Sequence, residues 1–234
     1  MIILSSDYDG TLKTRIIDLK ANIEAIKKFR SLGNIFILNT GRHYSSIIEE
    51  IKRFNIPFDY LSCNDGGITF DSNLQVIKEH SLSNDQVRYI KELIPYFPGL
   101  RIVDYYDAYQ ICHNEIETPL EIGISKTHDS SFEEFSRVVV TSETDIEIML
   151  LKNRLRVKAP TTKSTALFDI AKIIDVDPKT IYTIGDSPND LEMIKNHHGF
   201  RMLESSPKVI FSTWRVVPEV RHLVNYLNWK SKRM

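Results

Sequence analysis

Cysteine is scarce in this chain: Cys63 and Cys112 are the two among 234 residues. Each lies inside an apolar run, so two buried, reduced thiols are expected rather than a disulfide framework or a cysteine-built metal site. Long apolar runs are missing too. None approaches the roughly 18 residues of a membrane span, and no membrane partner is expected. The N-terminal stretch lacks the basic and long apolar regions of a signal peptide, which points to the cytosol. A basic excess is also absent: 30 Lys and Arg against 31 Asp and Glu leave a formal charge of -1. That balance argues against a nucleic-acid partner, whose phosphates ask for many cations. The short basic end, Lys230 to Arg233, reads as a solvated terminus. No Gly-x-Gly-x-x-Gly or P-loop pattern, internal repeat or low-complexity stretch occurs, and no obligate protein partner is inferred.

What is present is ordinary globular material, 42% hydrophobic and 26% charged, enough for a sizeable core. The first third alternates strand and helix patterns. Ile2 to Ser6 is a short apolar run. Leu19, Ile23, Ile26, Phe29 and Leu32 recur at helical spacing, with Gly33 as a stop. Ile35 to Leu38 reads as a strand covered on both faces, Ile47, Ile48, Ile51 and Phe54 as a second helix, and Tyr60 to Cys63 as a third strand. This order predicts a doubly wound, parallel-sheet α/β core. From Asn84 the pattern changes to a helix, a hairpin around Tyr105 to Tyr109, and a strand at Leu120 to Ile124. A short helix near Phe132 to Phe135 and strands at Ile146 to Leu150 and Arg154 to Val157 follow, which suits a small α+β unit. The α/β rhythm returns after Lys163, with a strand at Ile181 to Ile184. The expected organisation is therefore a core of residues 1–82 and 158–234 interrupted by an inserted unit of residues 83–157.

Four polar constellations fall where core strands end or core helices begin, the place where open α/β sheets bind ligands. Asp7-Tyr8-Asp9-Gly10-Thr11 follows the first strand, and its two acids can share a face. Thr40-Gly41-Arg42 ends the second strand, offering a hydroxyl and backbone N–H groups to an anion. Lys163 opens a helix, where a lone lysine is ordinarily a surface residue. Gly185-Asp186-Ser187-Pro188-Asn189-Asp190 follows a later strand; Ser187 and Pro188 read as a helix cap, which leaves Asp186 without a structural purpose. Asp7, Asp9, Asp186 and Asp190 converging on one site would raise one another's pKa values. A hard divalent cation resolves that conflict, and oxygen ligands suit Mg²⁺. Thr40, Lys163 and the turn N–H groups would face phosphate oxygens.

These four motifs, in this order, resemble the haloacid dehalogenase superfamily. The Asn189-Asp190 ending and the insertion between the second and third motifs are similar to its Cof-type sugar-phosphatase branch with a C2 cap. The resemblance implies a phosphatase in which Asp7 attacks phosphorus and Asp9 acts as acid and then base. It implies that Asp7, the Asp9 carbonyl and Asp186 hold Mg²⁺, that Asp190 supports the metal or orients Lys163, and that Thr40, Gly41 and Lys163 bind the phosphoryl group. Arg42 and Asn189 would lie next to these groups or on the substrate, a small phosphate ester. An acid at position 9 favours phosphatase or phosphomutase chemistry over dehalogenation. Alternatives are a trehalose-phosphate-phosphatase-like enzyme, a phospho-ligand binding module without turnover, and a receiver-type domain phosphorylated on Asp7. The chain departs from the branch at Met202-Leu203-Glu204-Ser205-Ser206 and Val217-Pro218-Glu219-Val220, and Asn64-Asp65-Gly66-Gly67 matches its pattern only loosely. Tyr105, Tyr106 and Tyr109 are candidates for substrate contact. His197 and His198 read as neighbours on a helix, which would point them apart and prevent a shared metal.

Overall fold

Continuous apolar runs become strands buried on both faces when helices cover the two sides of a sheet. The computed structural model describes residues 1–126, 132–142, 145–151 and 154–233. In chain order it begins with β1 (Ile3–Ser6), α1 (Ile16–Ser31), β2 (Ile35–Asn39), α2 (Tyr44–Phe54), β3 (Tyr60–Cys63), β4 (Ile68–Asp71) and β5 (Val76–Glu79). Next come α3 (Asn84–Leu93), β6 (Leu100–Tyr106), β7 (Ile111–Cys112), β8 (Glu121–Lys126), α4 (Phe132–Thr141), β9 (Glu147–Leu150) and β10 (Arg154–Lys158). The last part holds α5 (Lys163–Ile173), β11 (Tyr182–Gly185), α6 (Leu191–Asn196), β12 (His198–Met202), α7 (Pro207–Ile210), β13 (Val216–Val217) and α8 (Val220–Ser231). The chain divides into two compact units, residues 1–78 with 162–234, and residues 79–161.

The first unit is built on an eight-stranded sheet in the order β13-β12-β11-β1-β2-β3-β4-β5. β1 lies at its centre, parallel to β11 and β2, and every residue of β1 and β11 is buried. Ile3, Ile37, Leu167, Ile170, Ala171, Ile181 and Met193 form one apolar layer. α1 and α8 pack together elsewhere in the unit, burying Leu19, Ile23, Ile26 and Phe29 with Leu223, Val224 and Leu227. α1 stops as expected at Gly33, whose φ of +76° belongs to a left-handed turn.

Three features differ from expectation. β4 runs antiparallel to β3, a hairpin hidden in the sequence because it follows the Asn64–Gly67 turn without a helix between. His198 opens strand β12 instead of lying on a helix: α6 ends at Asn196, and the His198 ring packs on Tyr182 at 4.5 Å. The basic end is exposed at Lys232 and Arg233, as expected, but it is not frayed. α8 runs to Ser231, Lys230 Nζ donates to the Tyr182 hydroxyl at 2.6 Å, and Arg233 lies 4.0 Å over the Trp229 ring. Long cationic side chains lay their stems and charges on aromatic faces in this way.

The second unit carries a five-stranded antiparallel sheet in the order β7-β6-β8-β10-β9. α3 and α4 contribute Val87, Ile90, Phe132, Phe135 and Val139 to its core, against Ile122, Ile124, Leu155 and Val157. Ser83 and Gln86 cap α3 reciprocally. Tyr105 and Tyr106 are buried, and Tyr109 is the exposed member of the tyrosine set. Cys63 is buried as expected, whereas Cys112 is partly exposed; both are free thiols.

Candidate active site

The site grows from the central strand. Asp7 follows the last residue of β1, and its N–H donates to the Ile184 carbonyl of β11 at 3.0 Å. Gly10 then turns the chain back with φ +81°; a Cβ there would lie 2.6 Å from Asp186 Oδ2. Only glycine gives both that backbone conformation and that approach. The turn brings Thr11 Oγ1 within 2.6 Å of Asp186 Oδ1, to which it donates.

Lys163 is the first residue of α5 and is 1% exposed. Its Nζ donates to Asp7 Oδ1 at 2.5 Å and to Asp190 Oδ1 at 2.7 Å. The helix start is tied to β2 by Asn39 Nδ2, which donates to the Lys163 carbonyl at 2.9 Å. Asp190 closes the turn after β11, its Oδ2 accepting from the N–H groups of Asp186 and Ser187, both at 2.9 Å. Ser187 caps that turn, as expected.

The structure brings together three of the four carboxylates. Oxygens of Asp7, Asp186 and Asp190 lie within 4.8 Å of one another. Asp9 turns its side chain to Arg42, which donates through Nε and Nη2 to both Asp9 oxygens at 2.6 Å. Among the described residues, Asp7 Oδ2 is buried and has no hydrogen-bond partner. A buried carboxylate oxygen without a donor is costly, and oxygen-only ligands around such an atom fit a hard divalent cation. Asp7 and Asp186 have oxygens to offer it; those of Asp190 are already engaged by Lys163 and the turn.

Burial pushes the Asp7 carboxyl up to about 8, with Lys163 opposing the rise and Asp190 adding to it. Asp186 is also raised, chiefly by burial. Burial works against the charge on Lys163, but Asp7 and Asp190 outweigh it and hold the ammonium above its ordinary range.

Thr40 follows β2, and its Oγ1 accepts from the Arg42 N–H at 3.1 Å. A Cβ on Gly41 would lie 2.8 Å from the Asp65 carboxylate. Asp65 is the functional candidate that sequence reasoning passed over. It is buried, left-handed at φ +50°, and its Oδ1 accepts from Asn189 Nδ2 at 2.8 Å. Asn189 thus binds the 64–67 turn. The one available signal was the Asn-Asp-Gly run itself, since these residues tolerate positive φ. His197 lies apart from the carboxylates: its ring bonds with Ser164 Oγ at 3.0 Å and the Pro178 carbonyl at 2.7 Å, and burial holds its pKa down.

The model of the haloacid dehalogenase-like hydrolase family matches residues 4–159 and 156–219, spanning both units. The chain belongs to that family. A phosphoglycolate phosphatase of Methanococcoides burtonii is 26% identical over 192 residues, covering 81% of this chain and 77% of that protein. The fold is shared with a haloacid dehalogenase-like hydrolase from Bacteroides thetaiotaomicron, with a TM-score of 0.76 at 16% identity over 97% of this chain and 99% of that one. A subclass IIB sugar phosphatase superposes with a TM-score of 0.71 at 18% identity, over 100% and 98% of the two chains. The family resemblance and the α/β fold class expected from the sequence are both borne out. Among the described residues of this haloacid dehalogenase-like hydrolase, no helix is long and apolar enough to cross a membrane.

Proposed function

We propose that this protein is a Mg²⁺-dependent phosphomonoesterase acting on a small phosphorylated metabolite through an aspartyl-phosphate on Asp7. The observation that carries the reading is the buried Asp7 carboxylate, one oxygen held by Lys163 and the other without a donor. Lys163 opposes the rise that burial imposes on the Asp7 carboxyl, and a divalent cation on its other oxygen would complete the ionisation that attack on a phosphate ester requires. In the first half-reaction an Asp7 oxygen bonds to phosphorus, the phosphorus–ester oxygen bond breaks, and Asp9 gives that oxygen a proton. In the second, water attacks the same phosphorus, Asp9 takes its proton, and Asp7 is released with inorganic phosphate. Lys163, Thr40 Oγ1 and the backbone N–H of Gly41 would face the phosphoryl oxygens, supplying charge and position, the main needs of phosphoryl transfer. A Mg²⁺ ion held by Asp7, Asp186 and the Asp9 carbonyl would neutralise charge on the transferring group. Asp190 then serves as the anchor of Lys163 and of the turn that carries Asp186.

Phosphoglycolate and sugar phosphates are the substrates to try first, because relatives and fold neighbours act on them. The inserted unit of residues 79–161 is read as the cap of the Cof-type branch. The cytosol is the proposed compartment, and both cysteines standing as free thiols agree with it. The test is phosphate release from a panel containing 2-phosphoglycolate, hexose 6-phosphates and p-nitrophenyl phosphate, with Mg²⁺, with EDTA, and with Asp7→Asn. Turnover should need Mg²⁺, and Asp7→Asn should lower it at least about a thousandfold. Turnover that survives either Asp7→Asn or EDTA would overturn the reading.

A further inference from the structure

Asp9 is asked for two jobs, giving a proton and taking one back, so its carboxylate must stay in one place between half-reactions. It lies in the loop after β1, and its side chain is 54% exposed. An exposed carboxylate on a loop has no packing to fix its rotamer. Arg42 supplies the constraint, gripping both oxygens with the planar fork of its guanidinium.

Arg42 is itself held. Its guanidinium carbon lies 5.1 Å from the centroid of the Tyr8 ring, between the two acids in sequence. Tyr8 is fully buried, and its hydroxyl donates to Glu50 Oε2 at 2.5 Å. Glu50 sits on α2 and also accepts from Lys13 Nζ. Lys13 in turn lies 5.7 Å from the Tyr8 centroid and 5.5 Å from that of Phe54, four residues beyond Glu50 on the same helix face. A rigid helix thus fixes a carboxylate, the carboxylate fixes a tyrosine ring, and the ring fixes a guanidinium. From this geometry we infer that Tyr8 and Glu50 are positioning residues, acting through Arg42 on the Asp9 carboxylate. The inference rests on the reading of Asp9 as acid and base. The Asp9–Arg42 pair is half-exposed and such pairs contribute little to stability, so stability does not account for the two-pronged grip on this loop acid.

The test uses leaving groups. A p-nitrophenolate departs without a proton, whereas an alkoxide needs one. The ratio kcat/KM reports every step up to departure of the leaving group. Wild type, Asp9→Asn, Tyr8→Phe and Glu50→Gln are compared on p-nitrophenyl phosphate and on 2-phosphoglycolate or a hexose 6-phosphate, whichever the wild type turns over faster. Tyr8→Phe and Glu50→Gln should each lower kcat/KM on the alkyl phosphate about tenfold through kcat, and on p-nitrophenyl phosphate less than about twofold, because misplacing an acid matters where a proton is needed. Asp9→Asn should show the same selectivity with a larger loss. Equal losses on both substrates, losses carried by KM, or none at all in the two positioning variants would overturn the inference while leaving Asp9 in its role. An Asp9→Asn variant without leaving-group selectivity would instead sink the reading of Asp9, and the inference with it. Thermal melts establish that each variant folds. Should Tyr8→Phe fail to fold, Glu50→Gln, a near-isosteric change at a partly exposed helix position, decides the matter alone.

Discussion

Asp7 and Asp9 are two residues apart and live in different electrostatic worlds. Asp7 is 4% exposed, sits between a buried ammonium and two further carboxylates, and is pushed up to about 8 chiefly by burial. The Asp9 side chain is 54% exposed and shares a bidentate ion pair with Arg42, itself half-buried. The contrast follows from where each residue falls relative to Gly10 and β1. Asp7 continues the central strand inward, locked by its N–H to β11, whereas Asp9 lies where the chain turns out. A nucleophile benefits from a dry site with an oriented cation, because the Coulomb interaction there is unscreened. A proton carrier must reach water and leaving group alike, so it is placed at the edge and restrained by a side chain instead of by burial. One dipeptide step separates the two requirements.

The sharpest way to break this comparison is at Lys163. In Lys163→Met the carboxylates of Asp7 and Asp190 would face each other in the interior without the cation that both touch. Removing one partner from a buried charged set costs about 3–5 kcal/mol, so the variant should unfold at markedly lower urea concentration than wild type. Added Mg²⁺ should recover part of that loss, since the ion supplies charge to the same carboxylates. Urea titrations with and without Mg²⁺ measure both effects. A variant as stable as wild type would mean that Asp7 and Asp190 are not held against each other as the distances imply.

The same residues explain what the sequence let through and what it did not. Asp7 and Asp186 were legible because each ends an apolar run and is followed by a turn that capping alone does not explain. Lys163 was legible as a candidate but not as a buried one. Its partners are 156 and 27 residues away in sequence, and burial of a lysine is decided by the groups it meets, not by its neighbours along the chain. Convergence of four acids was expected and three converge, because the Asp9–Arg42 pair spans 33 residues and competes for the fourth. Asp65 stayed hidden for a related reason: its left-handed backbone and its bond to Asn189 exist only once the turn after β3 meets the turn after β11. Periodicity located β1, β2, β3 and β11 well, since strands covered on both faces leave unbroken apolar runs. It passed over β4, which is buried but follows β3 through a tight turn without a helix between, and β5, the edge strand with little core to bury.

A gentler probe of the buried half is pH. The carboxyls of Asp7 and Asp186 are both raised in the folded chain. Between the ordinary carboxyl range near 4 and the Asp7 value of about 8, the metal-free folded state therefore binds more protons than the unfolded one. These two carboxyls make stability of the metal-free protein fall as pH rises through that window, a fall opposed below the ordinary imidazole value by His197 and His198, which burial lowers, and unopposed by them above it. The raised ammonium of Lys163 adds no opposing change there, because it is charged in both states throughout. Mg²⁺ needs ionised ligands, so the gain in melting temperature from Mg²⁺ should grow from pH 6 to pH 8.5. Melts at matched ionic strength with Mg²⁺ or EDTA check it. A gain that stays flat or shrinks with pH would place the ion elsewhere than on Asp7.

The exposed half should yield the smallest change in stability. Arg42→Ala removes an ion pair whose side chains are 30% and 54% exposed, together with the stacking on Tyr8. Pairs of that exposure are worth up to about 1 kcal/mol, and an exposed cation–π contact roughly 0.5–1 kcal/mol. Solvent takes over much of what is lost, so a net change near 1 kcal/mol is expected in the same urea titration that finds several for Lys163→Met. The two cations would then differ in the direction the comparison demands, one holding the interior together and the other holding an acid in place at its edge. A loss at Arg42 as large as that at Lys163 would erase the distinction, because it would make the Asp9 side a structural element of the fold rather than a restrained proton carrier.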